Sequence, residues 1–134
     1  MAEPSVFTKI MLGEIPGEII YEDKASIALL SHQPITPGHT LIIPRQQIDQ
    51  LWDLDETTYH HLFDVTKLIA ARLGSAYDYE RIGLLAEGFG VSHAHLHVFG
   101  YHQPLEPTIE EHIAHKHTAS PEELHAVAEL LKST

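Results

Sequence analysis

The chain has 134 residues, 43% of them hydrophobic, the size of one domain that buries about two-thirds of its unfolded surface. The absence of cysteine excludes disulfides and thiolate metal sites, and 19 acidic against 8 scattered Lys and Arg residues, a formal net charge of −11, exclude nucleic-acid binding through a basic face. No apolar run approaches the ~20 residues that span a bilayer and no secretory pattern opens the chain, so a soluble, cytoplasmic protein without membrane contact is expected.

Ser5 reads as the N-cap of a short helix over residues 5–12, with Phe7, Ile10 and Met11 at helical spacing and Gly13 as its terminator. Residues 19–22 and 26–30 read as strands separated by E-D-K, and T-L-I-I at 40–43 as a third strand ended by Pro44, together one antiparallel meander. Asp53 with Glu56 resembles a capping box. Tyr59, Leu62, Val65, Leu68, Ile69 and Leu73 then form an apolar stripe, which predicts the main helix over about residues 54–73, before Gly74. Residues 81–85 form a fourth strand, E-G-F-G a turn, and residues 92–100 a fifth strand. Residues 102–119 have weak periodicity and are expected to be partly extended or mobile, and Ser120-Pro121 starts a terminal helix over 121–132.

The fifth strand reads S-H-A-H-L-H-V-F-G, which predicts His93, His95 and His97 on one face and Ala94, Leu96 and Val98 in the core. Imidazole is the side chain whose unperturbed pKa lies near neutrality, and three in register suit a nucleophilic or a metal site. The metal reading stays open here, because His-x-His presents two imidazoles to Zn²⁺ and His39 is available as a third. His60 and His61 read as surface residues, and His112, His115 and His117 as a solvated His-rich loop that could bind a metal adventitiously. A small phosphorylated ligand remains compatible with the acidic charge, since imidazoles and backbone N–H groups can hold it locally.

The residues H-A-H-L-H-V-F match the histidine-triad signature, His-φ-His-φ-His-φ-φ with φ apolar. Upstream, F-T-K-I-M-L-G-E-I-P-G-E-I-I-Y-E-D and P-I-T-P-G-H-T-L-I-I-P-R resemble the opening helix and hairpin, and the turn and third strand, of the same family. Over about residues 5–101 the chain therefore resembles the histidine triad (HIT) family, in its Hint-like branch. The resemblance implies an α+β fold, an antiparallel sheet of about five strands with one main helix, a short N-terminal helix and a C-terminal helix. It implies a single domain over 1–134, with 102–134 as a C-terminal extension, and a homodimer.

In function the resemblance implies hydrolysis or transfer at the α-phosphorus of a nucleotide derivative, such as a phosphoramidate, through a covalent nucleotidyl-histidine and without cofactor or metal. The alternatives are a nucleotide-binding module with little turnover and a His-ligated metal enzyme. By position in the motif His95 is the nucleophile, His97 and His39 serve phosphate contact and leaving-group chemistry, and His93 supports and orients. Attack requires one unprotonated ring nitrogen with the other proton held by an acceptor, which a backbone carbonyl of the same turn can supply. Phe7, Ile10, Ile15 and Leu29 match base-pocket positions, and Ser31, His32, Gly88, Gly90 and Val91 complete the expected nucleotide-binding set. Some members carry a structural zinc on an N-terminal Cys pair; the corresponding segment here is S-V-F-T, so no such zinc is expected.

The sequence also departs from the family. The ribose-binding acid falls at Ser31, the usual Asn after the fourth strand falls at Ala86, and the loop before the triad is shortened to E-G-F-G-V-S. The backbone N–H groups of Gly88, Gly90 and Val91 would replace the lost phosphate contacts if that loop curls into an anion nest.

Overall fold

A computed structural model describes residues 3–103, 111 and 117–134. Helix α1, Val6–Met11, starts where the Ser5 hydroxyl accepts from the Thr8 amide, and Gly13, at φ +78°, turns the chain after it. Strands β1, Ile19–Glu22, and β2, Ser26–Leu30, form a hairpin whose turn is held by the Asp23 carboxylate, which accepts from the Ala25 and Ser26 amides and the Ser26 hydroxyl. A bulge at Ile20 offsets the β1 register. Strand β3, Thr40–Pro44, pairs with β2 over Ser26↔Pro44 to Leu30↔Thr40. The long helix α2, Glu56–Ala76, follows a 3₁₀ turn at Leu51–Asp53. Strands β4, Arg81–Leu85, and β5, Leu96–Tyr101, complete an antiparallel sheet in the order β1-β2-β3-β5-β4, and helix α3, Pro121–Lys132, closes the chain.

Alternation along β2 and β3 explains why both strands are buried throughout. Ala28, Leu30, Ile42, Leu96 and Val98 meet Leu62, Val65, Ile69 and Leu73 of α2 and Ala128 and Leu131 of α3. Ile27, Leu29, Leu41 and Ile43 face the other way and pack with Phe7 of α1. The sheet is thus covered on both faces, and the thinner α1 cover leaves room for a cleft.

Three sequence readings are corrected. The cap of α2 is Asp55, whose carboxylate accepts from Thr58 N–H, whereas Asp53 belongs to the 3₁₀ turn. The helix continues through Gly74 to Ala76. Strand β5 starts only at Leu96: the His93 carbonyl is engaged by the His95 ring and the Ala94 amide donates to Ile48 O at 2.7 Å, so residues 92–95 leave the ladder. The predicted alternation survives that break, with Ala94, Leu96 and Val98 in the α2-side core. The segment expected to be extended or mobile lies outside the described residues at 104–110 and 112–116, as do His112 and His115. No helix among the described residues is long and apolar enough to cross a membrane.

Candidate active site

His95 lies just before β5, with its side chain 8% exposed. Its Nδ1 is 2.7 Å from the His93 carbonyl, and a carbonyl only accepts, so His95 carries a proton on Nδ1, and in the neutral ring the lone pair is on Nε2. The Phe7 ring meets the imidazole edge-on at 5.0 Å and limits its rotation.

His97 is the first of the three histidines within the ladder, opposite Leu41 on β3. Its Nδ1 lies 2.9 Å from Nε2 of His39, whose own Nδ1 accepts from the Ile35 amide at 3.0 Å. The amide is an unambiguous donor, so the His39 proton sits on Nε2 and is given to His97 Nδ1. His97 therefore holds its proton on Nε2. The turn over residues 31–39 that brings Ile35 into place requires Gly38, at φ +89°, where a Cβ would lie 2.7 Å from Leu73 and 2.9 Å from Tyr77.

His93 is fully buried and does not line the cleft, although the Phe7 ring that meets His95 also meets it, at 5.6 Å. Its Nε2–H donates to Pro44 O at 2.7 Å, and Nδ1 lies 2.6 Å from the Ser5 hydroxyl. Burial holds its pKa below the usual histidine value, against the opposing effect of the Pro44 carbonyl, so the ring is neutral and Nδ1 accepts the Ser5 proton.

A cleft of about 490 Å³ opens on the α1 face, and His95 and His97 line it together with Phe7, Ile10, Ile15, Leu29, Ser31, His32, Gly90 and Val91. The structure thus brings together most of the residues named from the sequence. His39 and His93 stand behind the cleft, against His97 and His95 respectively. Gly88 and Ala86 line a smaller recess on another side of His95, with Asp49, Trp52 and Glu87. The condition for an anion nest is not met: neither Gly88 nor Gly90 has positive φ, and the Phe89 amide donates to the Glu87 carboxylate at 2.6 Å. Ser31 Oγ accepts from the Gln33 amide at 3.2 Å on the cleft rim. His61 is also corrected: half-buried, it meets Asp23 at 2.6 Å, whereas His60 is exposed.

Sequence reading missed several participants. Glu18 and Glu87 bring carboxylates to the cleft, Leu124 reaches it from α3, and Gly17 lies so close to Ile10 and Leu29 that a Cβ would stand 2.8 Å and 3.0 Å from them. Gln47 accepts from the Ser5 amide at 2.7 Å and the Thr8 hydroxyl at 2.9 Å. Only the hydroxyl-bearing cap at Ser5 left a signal in the sequence. A larger cavity of about 610 Å³, between the 31–39 turn and α3, touches His39 but neither His95 nor His97.

For a metal the histidines are poorly disposed, because both ring nitrogens of His93 and of His39 are engaged in hydrogen bonds. Among the described residues no group of three or more His, Asp or Glu is arranged to hold a metal ion.

The HIT domain family model matches residues 12–104. The chain is 37% identical over 107 residues to an uncharacterized HIT-like protein of Synechococcus elongatus, covering 75% of this chain and 92% of that one. Among solved structures, it is similar to a hypothetical histidine triad nucleotide-binding protein from Sulfolobus tokodaii, with TM-score 0.82, 25% identity, and 95% of this chain and 89% of that chain covered. A HIT family hydrolase from Clostridium thermocellum is similar with TM-score 0.67 and 28% identity, over 78% of this chain and 96% of that chain. With the family match spanning most of the chain, a five-stranded antiparallel sheet, and His95 and His97 lining one cleft, this chain belongs to the histidine triad (HIT) family.

Proposed function

We propose that the chain is a nucleotide hydrolase or transferase acting at the α-phosphorus of a nucleotide conjugate, with a phosphoramidate as the leading substrate class. The observation that carries the reading is the His95 Nδ1–H bond to the His93 carbonyl, which in the neutral ring puts the lone pair on Nε2, in a residue that lines the cleft. In the first step His95 Nε2 attacks phosphorus and the bond to the leaving nitrogen breaks; that nitrogen, protonated from solvent, departs as a neutral amine. The imidazole retains its Nδ1 proton against the His93 carbonyl, so the nucleotidyl-imidazolium is a good leaving group in turn. Water then attacks phosphorus, the P–Nε2 bond breaks with its electron pair returning to His95, and the water proton passes to solvent. His97 donates from Nε2 to a phosphoryl oxygen, in the tautomer that His39 sets. Phe7, Ile10, Ile15 and Leu29 form the apolar wall for the base. The words nucleotide-binding and hydrolase in the names of the Sulfolobus and Clostridium proteins point the same way.

One observation favours a weaker reading, a nucleotide-binding module with little turnover: Glu18 and Glu87 line the cleft, and no Lys or Arg does so among the described residues. Steady-state hydrolysis of adenosine phosphoramidate separates the two. The hydrolase reading predicts turnover by the wild type and none by His95→Ala with unchanged thermal unfolding. Nucleotide binding without turnover in the wild type would leave the module reading in its place.

A further inference from the structure

Ser5 sits at the centre of a hydrogen-bond network behind the cleft. Its hydroxyl accepts from the Thr8 amide as the cap of α1 and lies 2.6 Å from His93 Nδ1 and 3.3 Å from the Thr8 hydroxyl, so its one proton serves the shorter contact, to His93. Its own amide donates to Gln47 Oε1, which also receives the Thr8 hydroxyl, and Gln47 Nε2 returns a bond to the Glu3 carbonyl. Four polar side chains from three distant parts of the chain, Ser5 and Thr8, Gln47, and His93, thus close on one another behind the cleft. Two residues along the same helix, Phe7 packs its ring against both His93, at 5.6 Å, and His95, at 5.0 Å.

We propose that Ser5, seated by Gln47, is a positioning residue for His95: its hydroxyl fixes the His93 ring, whose carbonyl orients the nucleophile, and its place at the head of α1 ties that orientation to the wall of the cleft. The proposal rests on the reading of His95 as nucleophile. Its logic is directional. Pro44 O accepts only, so His93 must give its Nε2 proton there, and a neutral ring then offers Nδ1 solely as an acceptor. A hydroxyl at position 5 can both accept from the Thr8 amide and donate to that nitrogen, whereas a carboxylate can only accept. With both ring nitrogens fixed, the His93 side chain cannot rotate without breaking a buried bond, and the carbonyl that holds His95 Nδ1–H stays in place.

Three variants of the full chain separate positioning from capping. Ser5→Thr keeps cap and donor, Ser5→Ala removes both, and Ser5→Asp keeps the cap but only accepts. The readouts are the long-range ¹H–¹⁵N imidazole signals of His93 and His95, thermal unfolding, and kcat and KM with adenosine phosphoramidate. In the wild type and Ser5→Thr, His93 should appear at neutral pH as the Nε2–H tautomer. In Ser5→Asp it should shift to the doubly protonated ring, since only Nδ1–H can satisfy the carboxylate. The kcat of Ser5→Asp and Ser5→Ala should fall ~10- to 100-fold, the scale of a misplaced catalytic group, with KM within about twofold. Wild-type His93 signals and kcat in Ser5→Asp would overturn the proposal, as would an equal loss of kcat in Ser5→Thr with unchanged His93 signals. If the wild type itself fails to turn over the substrate, the hydrolase reading fails and the imidazole signals alone decide the placement of His93.

Discussion

His39 meets His97 ring to ring, Nε2 to Nδ1 at 2.9 Å, and the amide of Ile35 fixes the far end of the pair at 3.0 Å. A main-chain donor therefore determines which nitrogen of His97 carries the proton, two imidazoles away. His39→Phe preserves much of the ring volume but removes both bonds. It should cost about 1–3 kcal/mol for the buried Ile35 amide that loses its acceptor, and should lower kcat by more than it raises KM. Urea unfolding and steady-state kinetics of the variant check both parts; unchanged kcat would mean that the His97 tautomer does not matter to turnover.

Ser31 stands on the cleft rim, its neutral oxygen already accepting from the Gln33 amide. A carboxylate there could keep that bond and accept ribose hydroxyls as well. Ser31→Asp should tighten binding of a ribonucleotide by about 1–2 kcal/mol, roughly ten- to thirty-fold, and that of the 2′,3′-dideoxy analogue much less. Calorimetric titration with both ligands makes the comparison, and equal gains for the two would remove position 31 from the ribose site.

Asp23 ties the β1–β2 hairpin to α2 through His61, at 2.6 Å. Burial alone would raise its pKa, but hydrogen bonds from Tyr21, the Ala25 amide, His61 and the Ser26 amide together hold it well below the usual carboxylate value. A depressed folded-state pKa means stability fully present above the unfolded value, near 4, and lost as pH falls toward the folded one. Asp23→Asn should therefore destabilise the chain at pH 7 by about 1–3 kcal/mol and flatten its stability profile below about pH 4. Thermal melts across pH 2–7 test this, and parallel wild-type and variant profiles would contradict it.

Elements with local chemistry were legible: the Ser5 cap and Gly13 of α1, the hairpin around Asp23, and the Ser120-Pro121 start of α3 all stand where the residue types put them. The boundaries of α2 were not, because Asp53 and Asp55 are equivalent by type and only tertiary packing, with Leu54 buried between them, selects the second. Gly74 does not take the positive φ by which glycine ends a helix, and with Leu73 buried in the core the helix runs on to Ala76. In the site, periodicity placed His95 and His97 at the cleft, and family resemblance added Phe7, Ile10 and Leu29. The bond between Ser5 and His93 spans 88 positions, and no local pattern announces it. Glu18 and Leu124 likewise reach the cleft only through the fold.

Strand β4 is an outer strand of the sheet and Leu84 on it is 46% exposed, and we propose this edge as the surface of the homodimer that the family resemblance implies. Leu84→Lys should weaken self-association at least about tenfold, as expected for a buried leucine replaced by a charge. Sedimentation equilibrium of both proteins measures it, and identical association would place the interface elsewhere.

As the proposed nucleophile, His95 Nε2 becomes bonded to phosphorus during each turnover. Rapid quenching of the wild type with adenosine phosphoramidate labelled at the α-phosphate, followed by peptide mapping under alkaline conditions that preserve phosphoramidates, reads it directly. An adenylylated peptide whose modified residue is His95 should form and be lost within the turnover time and be absent from His95→Ala. Turnover with no labelled peptide, or label on His93 or His97 in its place, would contradict that role of His95.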